Sequence, residues 1–499
     1  MLNSTMRKIA QALPMIRLAH ASLVFWTVLL AAGASFGQAD VAPGRPNILF
    51  ILSDDQRPDT IRALGNAIVE TPHLDALVAA GTAFTRAVCA NPICTPSRAE
   101  IMSGACGFHN GVLDFGQRIK PELTLWAQAL RDGGYQTWYA GKWHNDGRPT
   151  SRGYQATAGL FAGGGARWAT DRTDWKGFPV TGYRDWVFQS DSGQVFPEQG
   201  VGLSTHTSRQ IADAAIGLLR GWSKEQPFFL HVNFTSPHDP LLMPPELAGK
   251  YDPRKIPLPA NFLARHPFDH GNLHGRDEEV FGWPRTPQEV RGELACYYAV
   301  ITQMDAEIGR ILAALDETGQ AASTIVIFTS DHGVAIGSHG LRGKQNMYEH
   351  TIGVPLVMRG PGVPRGGRLA AQVYLRDLYP TVVELAGLPI PRTVEGRSLA
   401  PLLAGRSESL YPEVFGYYRD LQRMVRTERW KLIHYPKINR WQLFDLQADP
   451  AEMHDLSADP AHAKVLVDLQ RRLLSNQQAH GDPLATRTPT VVPPRASSR

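Results

Sequence analysis

The chain has 499 residues, 43% of them hydrophobic and 20% charged, with a formal charge of +4. These values describe an ordinary globular chain with material for a large core, long enough for one big domain and a smaller companion. Only four cysteines are present, which excludes a disulfide scaffold.

The first element is a targeting segment. Arg7, Lys8 and Arg17 precede the apolar run LVFWTVLLAAGASF (23–36), and GQA (37–39) supplies small residues. The pattern predicts a signal peptide over 1–39, cut after Ala39, and hence an exported protein, periplasmic or secreted. The run is short for a membrane span, and no cysteine stands at the cleavage point for a lipid, so no stable span is expected in the mature form. Cleavage removes three positive charges and no acidic one, leaving +1, which argues against nucleic acid as a partner. Export would permit a bridge such as Cys89–Cys106.

RPNILFILSDDQRPD (45–59) reads as a fully buried parallel strand from Asn47 to Ser53 that ends on two carboxylates. TPHLDALVAAG (71–81) follows as a helix, with Thr71 as cap, Pro72 in the first turn, Gly81 as stop and Leu74, Leu77 and Val78 as its buried stripe. The alternation continues with a helix at 122–134, a strand at 135–143, a helix at 206–222, a strand within 226–240, a long helix at 295–318 and strands at 324–333 and 354–362. This order predicts an α/β fold: a large, mostly parallel central sheet flanked by helices. The proline- and charge-rich stretch 241–290 reads as an excursion over the surface. From about 410 short alternating runs predict a small antiparallel sheet, closed by a helix near 462–478. The domains are thus 1–39 signal peptide, 40–405 catalytic domain, 406–480 C-terminal subdomain and 481–499 loose tail.

Ligands in such sheets gather beyond the carboxyl ends of the strands. Asp54-Asp55, His238 and Asp331-His332 all fall at predicted strand ends. Carboxylates and an imidazole converging on one point repel unless a cation lies between them. The oxygen-rich set favours Ca²⁺ or Mg²⁺, while a histidine ligand also suits Zn²⁺ or Mn²⁺. In CANPICTPSRAEIMSG (89–104), Pro96 suits an early helical position and Ser97-x-x-Glu100 reads as a capping box. Cys94 then lies at the positive end of the helix, where amides and dipole activate a thiol or hold an anion. Arg98 lies one turn on, and Lys142, His144, His238 and Lys344 follow or flank strand ends. Cations around one nucleophile suit an oxyanionic substrate.

CTPSR resembles the type I sulfatase signature Cys/Ser-x-Pro-x-Arg of the alkaline-phosphatase superfamily. NILFILSDD, GKWH, SPHDP, FTSDHG and LRGKQNMYEH match in the expected order, and the resemblance spans roughly 45–475. It implies an alkaline-phosphatase-like fold and a Cys94 oxidised by a separate maturation enzyme to formylglycine. On this resemblance one hydroxyl of the hydrated aldehyde, a gem-diol, would attack sulfur and displace the alcohol, and sulfate would leave as the other hydroxyl is deprotonated and the aldehyde re-forms. It further implies one divalent ion, Ca²⁺, held by Asp54, Asp55, Asp331, His332 and modified Cys94. Arg98 would orient the gem-diol, Lys142 and Lys344 hold sulfate oxygens, His144 assist activation, and His238 protonate the leaving oxygen. Arg57 and Asp59 either reach the substrate or brace their loop; His109, Asn110 and Asp114 are pocket candidates, as are 162–175 and 417–440. The likeness to iduronate-sulfatase and bacterial polysaccharide-sulfatase relatives favours a sulfated carbohydrate, polysaccharide or oligosaccharide, as substrate. A phosphonate monoester or phosphodiester hydrolase of the same superfamily, and an aryl or choline sulfatase, stay open.

Overall fold

The computed structural model describes residues 44–486; the predicted signal peptide and cleavage point lie outside them. In chain order the strands are β1 (Asn47–Ser53), β2 (Thr82–Phe84), β3 (Ala87–Val88), β4 (Gln136–Lys142), β5 (Ala156–Gly163), β6 (Trp186–Gln189), β7 (Phe228–Asn233) and β8 (Thr324–Ser330). Then follow β9 (Leu356–Arg359), β10 (Gly367–Leu369), β11 (Val373–Tyr374), β12 (Glu413–Tyr418), β13 (Gln422–Thr427), β14 (Trp430–Tyr435) and β15 (Arg440–Asp445). Nine of them form one sheet in the order β10-β2-β9-β8-β1-β7-β4-β5-β6, and β12–β15 form a separate antiparallel sheet.

The large sheet is buried on both faces, which is why its central strands read as unbroken apolar runs. Along β1, Ile48, Phe50 and Leu52 pack to one side and Leu49 and Ile51 to the other. The helix Trp126–Asp132 and the helix Leu378–Leu385 cover the first face with Trp126, Leu130, Leu378 and Val382. The helices Thr207–Arg220 and Pro287–Glu317 cover the second with Ile211, Ala215, Met304, Ile308 and Leu315, at helical spacing. Burying a side chain of this size contributes about 1.5–3 kcal/mol, so these two layers dominate the stability of the sheet.

The parallel core agrees with expectation: β1 pairs in parallel with β7 and β8, and β7 with β4. The strand expected at 354–362 forms as β9, but it runs antiparallel to both β8 and β2. The C-terminal sheet and its closing helix, Ala463–Ala479, also form as expected. The sheet shares one apolar cluster with Val88, Ala90 and Ile93, just before Cys94.

Several local expectations are corrected. Thr71 stands before its helix but does not cap it, because its hydroxyl bonds Asp75 and receives the Arg62 amide. The stretch 241–290 is not a surface excursion throughout: His266, His270, Asp277, Glu278 and Arg285 are buried, and all but His270 are held by ion pairs or backbone bonds. The tail is not loose from 481, since buried Asp482 receives Arg423 and Gln477; residues 487–499 lie outside the described set. All four cysteines are free, so no Cys89–Cys106 bridge forms. Among the described residues, no helix is long and apolar enough to cross a membrane.

Candidate active site

Four mutually aligned strands, β8, β1, β7 and β4, bring their carboxyl ends to one edge. Asp54 and Asp55 follow β1, His238 follows β7, Asp331 and His332 follow β8, and Lys142 ends β4. The loops are stitched together by backbone bonds: the Asp54 amide donates to Ser236 and the Asp331 amide to Ser53. Asp55 has φ 65°, an uncommon conformation for a residue with a side chain, and its amide donates to the Asp331 carboxylate at 3.1 Å. The β4 end depends on Gly141. It has φ 95° at a register shift against β5, and a Cβ there would lie 2.0 Å from the Asn233 carbonyl oxygen.

Cys94 is the first residue of the helix Cys94–Ser103. The capping box at Ser97 and Glu100 does not form. The helix starts earlier, Ser97 Oγ donates to the Asp331 carbonyl at 2.6 Å, and Glu100 bonds Arg376 and Tyr417 instead. Ser97 therefore locks the helix to the β8 loop rather than closing its own end. Thr95 Oγ1 donates to the His144 carbonyl at 2.8 Å and ties the same helix to the β4 loop. Gly104, at φ 66°, ends the helix in the left-handed conformation.

The ionic centre is buried and compact. Lys142 Nζ lies 2.8 and 2.7 Å from the two oxygens of Asp54, and Lys344 Nζ lies 2.9 Å from both oxygens of Asp55. Arg98 donates through Nε to Asp331 at 3.0 Å and through Nη2 to Asp54 at 3.1 Å. Cys94 Sγ lies 3.5 Å from Asp54 Oδ1 and 3.4 Å from Lys344 Nζ. His332 Nδ1 is 3.3 Å from Asp55, and His238 Nε2 is 3.6 Å from Asp55 while its Nδ1 meets the Asp239 carbonyl oxygen at 2.6 Å.

These neighbours set the protonation states. Burial alone would raise the Cys94 thiol, but Lys142, Lys344 and His332 reverse it and bring it well below its ordinary value. Burial disfavours the His332 imidazolium, yet Asp331 and Asp55 lift its pKa to about 9. Burial pushes Asp331 up to about 6, against the pull of His332 and Arg98. Burial likewise lowers His144 to about 4, despite its hydrogen bond with Cys94. At neutral pH His144 is therefore uncharged and able to accept a proton, and the centre suits an anionic ligand attacked from position 94.

The donor set fits a hard cation. Ligand atoms of Asp54, Asp55 and Asp331 lie within 4.8 Å of one another, as do those of Asp55, Cys94 and His332. His332 Nε2, Arg98 Nη1 and His144 Nδ1 are buried with no hydrogen-bond partner, as expected of a centre built to receive further ligands.

A cavity of about 340 Å³ opens above Cys94. His144, His238 and Lys344 line its floor; Phe115, Tyr183, Trp186, Asn272, Arg276, Asp277, Gln345, Tyr418 and Arg419 complete it. Of the candidates, Arg57, Asp59, His109 and Asn110 do not line it. Arg57 forks onto Asp59 and onto the carbonyls of Val334 and Ala335, so it braces the loop. His109 pairs with Glu395, and buried Asn110 closes its own turn through Ala105 and Val112. None of 162–175 lines it either, whereas Tyr418 and Arg419 from 417–440 do, and Asp114 contributes only by holding Arg419.

Sequence reasoning missed Tyr183, whose hydroxyl donates to Asp54 and whose ring lies 5.2 Å from Lys142 Nζ. It also missed Phe115, Trp186, Arg276 and Asp277. Gln345 was within reach of the motif that carries Lys344; nothing in the sequence marks the other five.

Comparison with known proteins identifies the family. A family model described as Sulfatase matches residues 46–388, and one described as N-sulphoglucosamine sulphohydrolase, C-terminal, matches 337–479. An N-acetylglucosamine-6-O-sulfatase of Bacteroides thetaiotaomicron is 26% identical, over 88% of this chain and 87% of its own. Among solved structures, BT4656 in complex with its substrate D-glucosamine-2-N,6-O-disulfate superposes with a TM-score of 0.72 at 24% identity, covering 88% of this chain and 99% of that one. A phosphonate monoester hydrolase of Agrobacterium radiobacter gives 0.73 at 24%, covering 87% and 96%. The two superpositions speak to fold. The family match spans most of the chain and includes Asp54, Asp55, Cys94, Arg98, Lys142 and Lys344, so the chain belongs to the type I sulfatases of the alkaline-phosphatase superfamily and is a sulfuric ester hydrolase.

Proposed function

We propose that the protein removes sulfate from a sulfated carbohydrate, using formylglycine made from Cys94 by a maturation enzyme and one divalent ion, Ca²⁺, at Asp54, Asp55, Asp331 and His332. The observation that carries the reading is the thiol at a helix start, within 3.5 Å of both Asp54 and Lys344. When present, the hydrated aldehyde supplies an attacking hydroxyl and a second one for release, and the ion supplies positive charge.

The chain's own residues do the rest. Arg98 fixes Asp54 and Asp331 relative to the 94 side chain. His144 hydrogen-bonds position 94 and, being neutral, takes a proton there. Lys142 and Lys344 rest on carboxylates. Once those are neutralised, both ammoniums are free to hold sulfate oxygens and offset charge that develops during transfer. His238 donates Nδ1–H to Asp239, and although burial opposes the charge, Asp55 and Asp239 raise its pKa and favour the imidazolium, whose Nε2 proton goes to the departing alcohol oxygen.

The carbohydrate assignment is supported by the N-acetylglucosamine-6-O-sulfatase relative. Export from the 1–39 leader suits a polymeric or oligomeric glycan met outside the cytoplasm, in the periplasm or beyond. We further take 40–405 as the catalytic domain and 406–480 as the subdomain that supplies Tyr418 and Arg419. Protein from a maturation-competent host should show a loss of about 18 Da at Cys94, the thiol-to-aldehyde change. It should turn over a sulfated glycan fragment in preference to a matched phosphonate monoester. Intact thiol in active enzyme would refute the mechanism, and preference for the phosphonate would move the protein to the other hydrolase class.

A further inference from the structure

Beyond the sulfate-binding floor the cavity has a second chemical character. Phe115 is 45% exposed, unusual for a phenyl ring, and its face stacks over His144 at 5.5 Å. Trp186 meets His144 edge-on at 4.9 Å. Arg419 stands in the turn between β12 and β13 at φ 42°, with its side chain 43% exposed. Asp114 takes its Nε at 2.7 Å and its Nη2 at 3.1 Å. A guanidinium has five N–H donors, so this grip orients the group without exhausting it.

The other charges of the lining are already committed. Arg276 is clamped by Asp239 and Asp277, Asp277 also receives Gln345 at 2.6 Å, and Lys344 serves Asp55. Among the described residues, Asp277 is the one carboxylate that lines the cavity. A half-exposed, oriented arginine and an exposed aromatic ring lining one cavity are a chemical match for a ring that carries an anionic group.

We infer that Arg419, held by Asp114 in the cavity that Phe115 also lines, is the specificity residue for an additional carboxylate or sulfate on the sugar whose sulfate ester is cleaved. This deepens the proposed glycan desulfation and rests on it. A quaternary ammonium leaving group would meet a like charge here, so choline sulfate is disfavoured.

The experiment uses the mature, aldehyde-bearing enzyme and four esters: a monosulfated neutral sugar, the same sugar with a carboxylate, the same sugar with a second sulfate, and 4-nitrophenyl sulfate. Wild type should prefer one or both anionic sugars over the neutral one. In Arg419→Ala and Arg419→Gln that preference should fall roughly 10- to 100-fold, chiefly through KM, the range for a hydrogen bond between charged groups. Arg419→Lys should restore part of it. The carboxylate and second-sulfate arms report which anion is read. The inference is overturned if wild type shows no preference, or if the substitutions lower all sugars equally. Hydrolysis of 4-nitrophenyl sulfate with none of the sugars cleaved would overturn the glycan reading, and with it this one; inertness toward every ester would overturn desulfation itself.

Discussion

His270 lies in the stretch leading to Asn272 and Arg276 of the cavity, and it offers a quantitative test. It is 4% exposed, and neither ring nitrogen has a hydrogen-bond partner among the described residues. Its ring stands edge-on to His266 at 5.2 Å. Burial lowers its pKa from 6.5 to about 4, against the favourable pull of neighbouring Asp269. The sign follows from linkage. Above pH 6.5 both folded and unfolded chains hold the ring neutral, and the group costs nothing. As pH falls, the unfolded chain binds a proton that the folded one refuses, so stability is lost between about 6.5 and 4 and the loss then levels off. At pH 5 the difference between these two pKa values amounts to about 2 kcal/mol.

Whole-protein pH curves mix this with opposite contributions from carboxyls raised by burial, such as Asp377 at about 6. The difference between wild type and His270→Gln isolates it. Urea denaturation at pH 7 and pH 5 should show wild type losing about 2 kcal/mol more than the variant on acidification, whatever their offset at pH 7. Parallel pH profiles, or an NMR titration placing the His270 imidazole near 6.5 in the folded protein, would show that the ring is neither dry nor unpaired and that the reasoning is wrong.

Cys94→Ala should lower sulfate-ester turnover at least about 10⁴-fold while leaving the melting transition in place, because the side chain is small and the helix starts without its help. Chelation should reduce activity, Ca²⁺ should restore it, and elemental analysis should find about one divalent ion per chain; full activity in a metal-free preparation would remove Asp54, Asp55, Asp331 and His332 from that role. Tyr417→Phe deletes a hydroxyl that donates to buried Glu100 and accepts the Gly107 amide at 2.6 Å. It should destabilise by about 1–3 kcal/mol in denaturant unfolding, and an effect under about 0.5 kcal/mol would mean that Arg376 satisfies Glu100 alone.

The amino-acid order determined by itself the parts whose physics is local or periodic. β1, β7 and β8 are buried on both faces and so had to be written in unbroken apolar residues, and the polar residues that end them had to sit at the sheet's carboxyl edge. Asp54, Asp55, His238, Asp331 and His332 were legible for that reason, as was Cys94 from its short motif. Tertiary structure alone decided the partners. Ser97 and Glu100 have capping-box spacing, but Asp331 on one side and Arg376 and Tyr417 on the other offer better bonds, so the helix begins at Cys94 instead. Arg57 could be read as a substrate arm or as a brace of its loop, and Asp59 with two carbonyls 277 and 278 positions away decides for the brace. Tyr183 and Asp277 come from segments with no motif, and Arg419 from the broad candidate stretch 417–440; folds of chain far apart in sequence bring them to one cavity. Local pattern reports which face of an element is apolar; which distant loop fills the space above it depends on closure of the whole chain, and that is where the outer wall of this cavity is made.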